Sequence, residues 1–256
     1  ARLLGPRGLH SAPRMAQRTD ERLPVPHQGV EHVGLRHDRP EEGEPRAVLV
    51  LAHGSGAALD SAFLESVAPR IADGAGLHVL RFNYAYAEFM LRSGKPRPPE
   101  RKPALEAVHV AVLEHARGLC PELPLLAGGK SLGGRIASMM VAEGRAADVR
   151  GLVFLGYPLH PPGKPERLRS DHFPEIGGPS LFLQGTRDAL CDLALLEQEW
   201  PKLSAGPATL HVVEGADHGF EVLRRSGRTR AEVDAELAEA VRAWADDVVG
   251  AGQAAG

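Results

Sequence analysis

The sequence predicts an α/β fold in which a mostly parallel, twisted sheet carries helices on both faces. Six short apolar segments alternate with stretches of helical periodicity, and this alternation is typical of parallel strands joined by right-handed crossovers. The chain has 256 residues, 43% of them hydrophobic, which is enough to bury one large core. The six predicted strands cover residues 47–52, 77–82, 123–127, 152–155, 180–184 and 210–213.

Five predicted helices lie between and after these strands. The last is the best defined, because Thr229 and Glu232 have the spacing of a capping box and an apolar stripe follows them. Trp244 belongs to that stripe, so we expect it in the core rather than in a substrate site. Before the first strand, residues 30–37 are expected to form one or two short edge strands and residues 38–45 a polar turn. The helices cover residues 61–72, 103–117, 134–143, 193–203 and 231–249.

A single domain is predicted over residues 21–250. Residues 1–14 are rich in arginine and lack acidic residues, as a transit peptide would be, but they show no amphipathic pattern. They also lack the apolar core of a secretory signal. We therefore expect residues 1–20 to be a disordered or non-native extension. The tail, residues 251–256, is expected to fray.

Composition argues against several classes of protein. The formal net charge of −3 does not suit a nucleic-acid-binding surface, which is normally strongly basic. No apolar run approaches the roughly 20 residues that span a bilayer, so no membrane partner is expected. Two cysteines, Cys120 and Cys191, are too few for a disulfide framework or a zinc site. We expect a reducing, cytoplasmic location and neither a metal nor a cofactor.

The pentapeptide 129–133, Gly-Lys-Ser-Leu-Gly, is the most informative motif in the chain. It follows a predicted strand and precedes a predicted helix, which is the context that the nucleophile elbow G-x-S-x-G requires. Its glycines allow the strand and the helix to approach closely, and they permit the strained backbone that exposes a serine hydroxyl. Ser131 is therefore the candidate nucleophile.

A serine nucleophile needs a histidine base, and that base needs a carboxylate to orient it. In folds with this elbow the acid and the histidine follow the serine in that order. Asp188 comes just after the strand predicted at 180–184, and His218 follows the strand predicted at 210–213. All three side chains thus lie beyond the carboxyl ends of parallel strands, where open α/β sheets place their chemistry. We predict a triad of Ser131, Asp188 and His218.

Two other carboxylates compete for the role of the acid. Asp192 and Asp217 both lie near loop positions that could face a histidine. Asp188 is preferred because it closes the turn that directly follows a strand. Asp192 is expected instead to cap the helix that begins after it.

An oxyanion hole is expected beside the nucleophile. One backbone N–H comes from the residue after the serine, here Leu132, and a second from an early strand-to-helix loop. That loop is His-Gly-Ser-Gly at 53–56, so Ser55 or Gly56 should supply the second donor. His53 is expected to shape this loop rather than to act as an acid or a base.

These motifs resemble the α/β-hydrolase superfamily. The strings at 53–56, 128–135, 156–165 and 184–188 resemble in particular small dienelactone-hydrolase-like predicted hydrolases, a group related to a subunit of the nuclear NSL histone-acetyltransferase complex. The resemblance spans about residues 47–249 and implies an α/β-hydrolase fold. Dienelactone hydrolases proper use a cysteine nucleophile where this chain has serine, so their lactone specificity is not implied.

Two long connections are expected to form the substrate pocket. Residues 83–102 and 157–178 each follow a strand end, and loops of this length in a compact domain are usually functional or disordered. There is no insertion of the size of a large cap domain, so a shallow site is predicted. Tyr84 and Tyr157 are expected in the pocket wall, the alternative being that both simply pack the loops. Two loop histidines, His160 and His172, are expected to be solvated rather than catalytic.

The sequence thus predicts a serine hydrolase that cleaves a small-molecule ester, thioester or activated amide without a cofactor. A phosphate-binding loop, G-x-x-x-x-G-K-[ST], fails because its leading glycine would fall on Pro124. The remaining alternative is a non-catalytic interaction module with the same fold, since fold alone does not imply function. Retention of serine, acid, histidine and the early loop favours the enzyme. The natural substrate and the oligomeric state are not encoded in any motif.

Overall fold

The computed structural model of the protein describes residues 16–27, 29–203 and 205–253. In this part of the chain eight strands form one sheet in the order β1-β2-β4-β3-β5-β6-β7-β8. The strands are β1 (Gln17–His27), β2 (Val30–Arg39), β3 (Ala47–Ala52), β4 (Leu77–Phe82), β5 (Leu125–Lys130), β6 (Val149–Leu155), β7 (Ser180–Gly185) and β8 (Ala208–Val213). The helices are α1 (Ala62–Ala75), α2 (Ala85–Ser93), α3 (Lys102–Leu119), α4 (Leu132–Ala142), α5 (Leu193–Glu199) and α6 (Arg230–Gln253).

The predicted fold class is confirmed. Strands β3 to β8 pair in parallel, and β1 and β2 extend the sheet in antiparallel fashion. Strand β3 is buried along its whole length, because alternate residues enter two cores, one on each face of the sheet. Such strands read as continuous apolar runs. Helices α1 and α6 cover one face and α2 to α5 the other.

The amino-terminal strand was not predicted. Strand β1 begins at Gln17, so residues 17–20, assigned to the predicted extension, are paired with β2. Its side chains are mostly exposed or half-buried and it contains Pro24 and Pro26, features of an edge strand that carry little hydrophobic pattern. Strand β2 is therefore interior to the sheet, and the edge position expected for residues 30–37 is wrong. Residues 1–15 and 254–256 of the predicted extension and tail lie outside the described residues.

The turn expected at residues 38–45 begins later than predicted, because β2 continues to Arg39 and a buried ion pair holds Asp38 in the sheet. Asp38 belongs to β2, and its carboxylate pairs with Arg81 of β4 at 2.7 Å, both side chains being fully buried. Arg81 also pairs with Glu65 of α1 at 2.7 Å. Charged residues of this kind suggest a loop in the sequence, but here they satisfy one another inside the sheet.

The connection predicted at residues 83–102 contains a helix. Helix α2 follows Tyr84 and is capped after Ser93 by Gly94, which adopts a left-handed conformation with φ of 65°. Its first four residues are buried. The rest of the connection, residues 95–101, remains irregular. Much of the sequence expected to form a pocket loop is therefore packed against the sheet.

The last helix follows its predicted pattern. The backbone N–H of Thr229 donates to the Glu232 carboxylate at 2.6 Å, which completes the capping box. Trp244 is buried and packs over Gly151 of β6. Helix α6 runs on to Gln253, beyond the expected start of the tail at 251. Within the described residues, no helix has the length and apolar character required to span a membrane.

Candidate active site

Ser131 lies at the turn between β5 and α4. Its backbone has φ of 51° and ψ of −113°, a region that non-glycine residues rarely adopt and that costs about 1–3 kcal/mol. Its N–H donates to the Leu155 carbonyl at 3.2 Å, and its carbonyl accepts from the Arg135 N–H at 3.1 Å. A Cβ atom on Gly133 would lie 2.5 Å from the Ala52 carbonyl oxygen, so glycine is required where α4 approaches β3. Hydrogen bonds to Leu155 and Arg135 and the close contact of Gly133 with β3 thus hold the turn at Ser131 in place.

The structure brings Ser131, His218 and Asp188 together. The Oγ of Ser131 lies 2.9 Å from the Nε2 of His218, and the Nδ1 of His218 lies 2.8 Å from Oδ2 of Asp188. Since an ionised carboxylate only accepts hydrogen bonds, Nδ1 carries the proton and Nε2 accepts from the serine hydroxyl. The His218 side chain is 25% exposed, whereas that of Asp188 is fully buried. This is the arrangement of nucleophile, base and orienting acid.

The Asp188 carboxylate is fixed on both oxygens. Besides His218, its Oδ2 accepts from the Gln184 side-chain amide at 2.9 Å, and its Oδ1 accepts from the Leu190 N–H at 2.8 Å. Gln184 also accepts from the Tyr157 N–H at 2.6 Å. Gln184 was not predicted as a site residue. Its signal in the sequence was a polar residue near the end of an otherwise apolar strand.

The two competing carboxylates have other partners. Asp192 caps α5 by accepting from the N–H groups of Ala194 and Leu195 at 2.8 and 3.3 Å. Oδ1 of Asp217 accepts from the N–H groups of Gly219 and Glu221 at 2.8 and 2.9 Å. Asp217 thereby closes the turn that carries His218. The geometry selects Asp188 as the partner of the imidazole.

His53 shapes the early loop from a fully buried position. Its Nδ1 donates to the Gly54 carbonyl at 2.8 Å and its Nε2 accepts from the Tyr84 N–H at 3.1 Å. The hydroxyl of Tyr86 donates to the same carbonyl at 3.0 Å. Burial lowers the pKa of His53 to about 4, so its ring is neutral at neutral pH. Tyr86, which was not predicted as a site residue, thus fixes this carbonyl together with His53.

The fixed Gly54 carbonyl orients the peptide that follows it. In a trans peptide the C=O and N–H groups point in opposite directions, so the Ser55 N–H points away from His53 and Tyr86. Gly54 itself lies against the nucleophile, because a Cβ atom there would sit 3.6 Å from Cβ of Ser131.

Two backbone N–H groups are candidate donors for an oxyanion. The N–H groups of Ser55 and Leu132 donate no hydrogen bond to any acceptor in the described part of the chain. Ser55 is exposed and Leu132 half-buried. Of the two residues expected to supply the second donor, Ser55 is favoured because its N–H belongs to the peptide whose carbonyl His53 and Tyr86 hold.

The two tyrosines expected in the pocket wall lie in the core. Tyr84 and Tyr157 are 0% and 1% exposed, so neither side chain offers surface to a substrate. The Tyr84 ring packs on His53 and Phe82, and the Tyr157 hydroxyl donates to the Arg169 carbonyl at 2.7 Å. This corrects the pocket assignment and matches the alternative that both residues pack the loops.

The two loop histidines were expected to be solvated, but His160 is buried and His172 is half-buried. His160 is 5% exposed, and its Nε2 accepts from the Asp192 N–H at 3.1 Å. His172 contacts the Ser138 hydroxyl at 2.8 Å, and burial lowers its pKa to about 4. Both connect the loop 157–178 to neighbouring elements.

Two cavities in the described part of the chain lie away from Ser131. A cavity of about 770 Å³ lies at the amino-terminal ends of the strands and is lined by Val48 of β3 and Leu125 of β5. Another, of about 560 Å³, lies beside Asp188 and is lined also by His160 and Arg187. Neither is lined by Ser131. Within the described residues no group of three His, Cys, Asp or Glu side chains could hold a metal ion.

Comparisons with known proteins agree with this architecture. The sequence model of the alpha/beta hydrolase domain family matches residues 45–246. A dienelactone hydrolase from Anabaena variabilis superposes with a TM-score of 0.67 at 20% identity, covering 92% of this chain and 99% of that one. An alpha-beta serine hydrolase homologue from Coxiella burnetii gives 0.66 at 18%, covering 88% and 96%. The thermostable carboxylesterase EstE1, cloned from a metagenomic library, gives 0.64 at 16%, covering 90% of each.

Proposed function

Because the chain belongs to the alpha/beta hydrolase domain family, we propose that it is a serine hydrolase that forms an acyl-enzyme on Ser131. The substrate is a small ester, thioester or activated amide. The observation that carries the proposal is the continuous hydrogen-bond chain from Ser131 through His218 to Asp188. Esterases and serine hydrolases among the structural neighbours agree with it, at identities that show only the fold.

The first step is attack of Ser131 on the acyl carbonyl. His218 Nε2 accepts the hydroxyl proton as Oγ bonds to the carbonyl carbon, and the buried Asp188 carboxylate stabilises the imidazolium that results. The carbonyl oxygen becomes an oxyanion, which the N–H groups of Leu132 and Ser55 are placed to receive. The strained backbone of Ser131 keeps the hydroxyl at the surface of the turn.

The second step releases the acyl group. The imidazolium of His218 donates its proton to the leaving oxygen, sulfur or nitrogen as that bond breaks. A water molecule then takes the place of the leaving group, gives its proton to His218 and attacks the acyl-enzyme. Collapse of the second tetrahedral intermediate returns the proton to Ser131 Oγ and frees the acid. No cofactor enters either step.

We propose in addition that the protein acts in the cytoplasm on a small molecule, without a nucleic-acid or membrane partner. The two cysteines, both free in the structure, agree with a reducing compartment. The similarity of residues 156–165 to the group related to an NSL-complex subunit supports a place near that group within the family.

The test is labelling with a fluorophosphonate probe followed by turnover of p-nitrophenyl acetate. Wild-type protein should be labelled and active, and Ser131→Ala should lose both while its thermal unfolding is unchanged. In comparable triads the loss in kcat is about 10⁴- to 10⁶-fold. Labelling that persists in the variant would contradict the assignment of Ser131. Absence of both signals in the wild type would favour the non-catalytic interaction module.

A further inference from the structure

Lys130 is a charged residue inside the nucleophile elbow. It ends β5 and directly precedes Ser131. Its Nζ is buried and has no hydrogen-bond partner in the described part of the chain. A buried ammonium without a partner is unfavourable, and burial accordingly lowers the pKa of Lys130 to about 8. The triad mechanism gives this side chain no role.

Two aromatic rings contact the ammonium. The Nζ lies 5.7 Å from the centroid of the Phe220 ring and 5.9 Å from that of Phe63, within the range of cation–π attraction. The rings stack on each other at 5.5 Å with an angle of 15°. Phe220 has φ of 60°, and its N–H donates to the Asp217 carbonyl at 2.9 Å. The turn that carries His218 thus also sets a ring against Lys130.

The ammonium lies close to the catalytic imidazole. Gly156 separates them: a Cβ atom on this glycine would be 3.0 Å from Lys130 Nζ and 3.5 Å from His218 Nδ1. The two nitrogens therefore flank one space of about the size of a methyl group. Gly156 has φ of 72°, so both its conformation and its missing side chain suit this approach.

Four charged or titratable groups face the ammonium. Asp188, Asp217 and Arg230 act on it through charge, and His218 lies across Gly156. Arg230 is already paired with Glu221 and with Asp234. Asp217 accepts two backbone N–H groups through Oδ1. Asp188, bonded to the imidazole at 2.8 Å, and Lys130, across Gly156, thus place opposite charges beside His218.

We propose that Lys130 is a positioning residue whose ammonium offsets the charge of Asp188 beside the imidazole of His218. This inference rests on the proposed function. A carboxylate bonded to Nδ1 favours the imidazolium, and a nearby cation opposes it. A general base serves best when it is free at the working pH. The residue that precedes the nucleophile therefore controls how readily the base is available.

The sign of the effect follows from charge alone. Replacing Lys130 by methionine, an unbranched side chain, removes the cation and favours the imidazolium. The acidic limb of kcat/KM against pH should then move to higher pH by about one unit, the size expected of one charge at such a distance and an effective dielectric constant well above that of dry protein. Above about pH 8 wild-type Lys130 loses its own charge. The neutral lysine no longer opposes the imidazolium that forms in the transition state, so the wild type should show a second rise in kcat/KM, which Lys130→Met lacks.

The experiment measures kcat/KM for p-nitrophenyl acetate from pH 5 to 9.5, followed at the isosbestic wavelength of p-nitrophenol. Lys130→Met is compared with Lys130→Arg, which keeps the charge and should restore the wild-type limb. The matched control is Lys164→Met, which removes an exposed lysine and should leave the profile unchanged. Equal limbs in wild type and Lys130→Met, together with no second rise in the wild type, would overturn the inference.

A second readout does not depend on turnover. The ring protons of His218 are titrated by NMR in the full chain, with the resonance assigned by its loss in His218→Gln. Its midpoint should move to higher pH in Lys130→Met and stay in place in Lys164→Met. If the midpoint does not move in an enzyme that is active and labelled by fluorophosphonate, the role of Lys130 is refuted and the proposed function stands. A moved midpoint in a protein without activity refutes the proposed function and supports the charge effect. If Lys130→Arg does not fold, the second rise in the wild type decides the kinetic test.

Discussion

The Nε2 of His218 lies 2.9 Å from the Oγ of Ser131, although the two residues are 87 positions apart in the chain. Strands β5 and β8 carry them to the same edge of the sheet, with β6 and β7 between them. The turn closed by Asp217 passes Gly185 at the end of β7 and Gly156 after β6, which brings the imidazole back to the serine. The short distance therefore depends on this turn as well as on the sheet.

Asp188→Asn should lower kcat by about 10⁴-fold with the fold intact, because an amide favours the wrong imidazole tautomer. Steady-state kinetics and circular dichroism check both parts. Asp192→Asn is the matched control, since this residue caps α5. Its effect should be confined to stability, at about 1 kcal/mol or less. The reverse pattern would show that the acid was assigned wrongly.

Tyr86→Phe should lower kcat by about three- to tenfold with little change in KM. The variant loses the hydroxyl that holds the Gly54 carbonyl, a neutral hydrogen bond worth about 0.5–1.5 kcal/mol. Looser control of this peptide would weaken the Ser55 donor mainly in the transition state. The matched control is Tyr84→Phe, because the Tyr84 hydroxyl faces His109 rather than the Gly54 carbonyl. Equal losses in both variants would assign the effect to core packing.

Lys130→Met should stabilise the protein at pH 7, by up to about 3 kcal/mol if the shift of the Lys130 pKa from 10.5 to about 8 is fully relieved. Both the folded and the unfolded wild type are protonated at pH 7, so the whole penalty of the buried charge is present. Between about pH 8 and 10.5 the unfolded state binds more protons, so wild-type stability rises with pH there. The advantage of the variant should shrink over the same window. Urea unfolding at pH 7 and pH 10 measures it, and a constant difference would contradict the burial argument.

Short acyl chains should be the preferred substrates, with kcat/KM rising from acetyl to about butyryl esters and falling for longer ones. Tyr84 and Tyr157, the two aromatic side chains expected in the pocket wall, are buried. Each further methylene adds about 0.8 kcal/mol only while protein covers it. A series of p-nitrophenyl esters tests this. Activity that keeps increasing out to long chains would require a deep channel beside Ser131.

Most of the sheet could be predicted because six of its strands are apolar runs. The predicted bounds of β3 and β4 coincide with those in the structure. Strand β1 could not be found this way, since its side chains are largely exposed and no hydrophobic pattern marks it. The end of β2 was not predicted, because the partner of the buried Asp38 is Arg81 on another strand. Pairing between distant charges is invisible to local periodicity.

In the candidate site, too, residues placed by the strands could be predicted and residues placed by packing between elements could not. Ser131, Asp188 and His218 each follow a strand, so the sheet alone brings them to one edge. Gln184 and Tyr86 act through contacts that depend on how side chains pack between elements, and the spacing of motifs does not encode those contacts. The burial of Tyr84 and Tyr157 was misjudged for that reason. An aromatic residue after a strand end faces either the cleft or the core.

The bond between the Tyr157 N–H and Gln184 has a consequence for redesign. Gln184 also binds the Asp188 carboxylate, so the first peptide of the connection 157–178 is joined to the triad through one side chain. Exchanging this connection to alter substrate choice would also disturb the acid. Grafts that begin after Leu159 would leave these hydrogen bonds of Gln184 in place, and libraries with that boundary would vary the rest of the connection separately from Asp188.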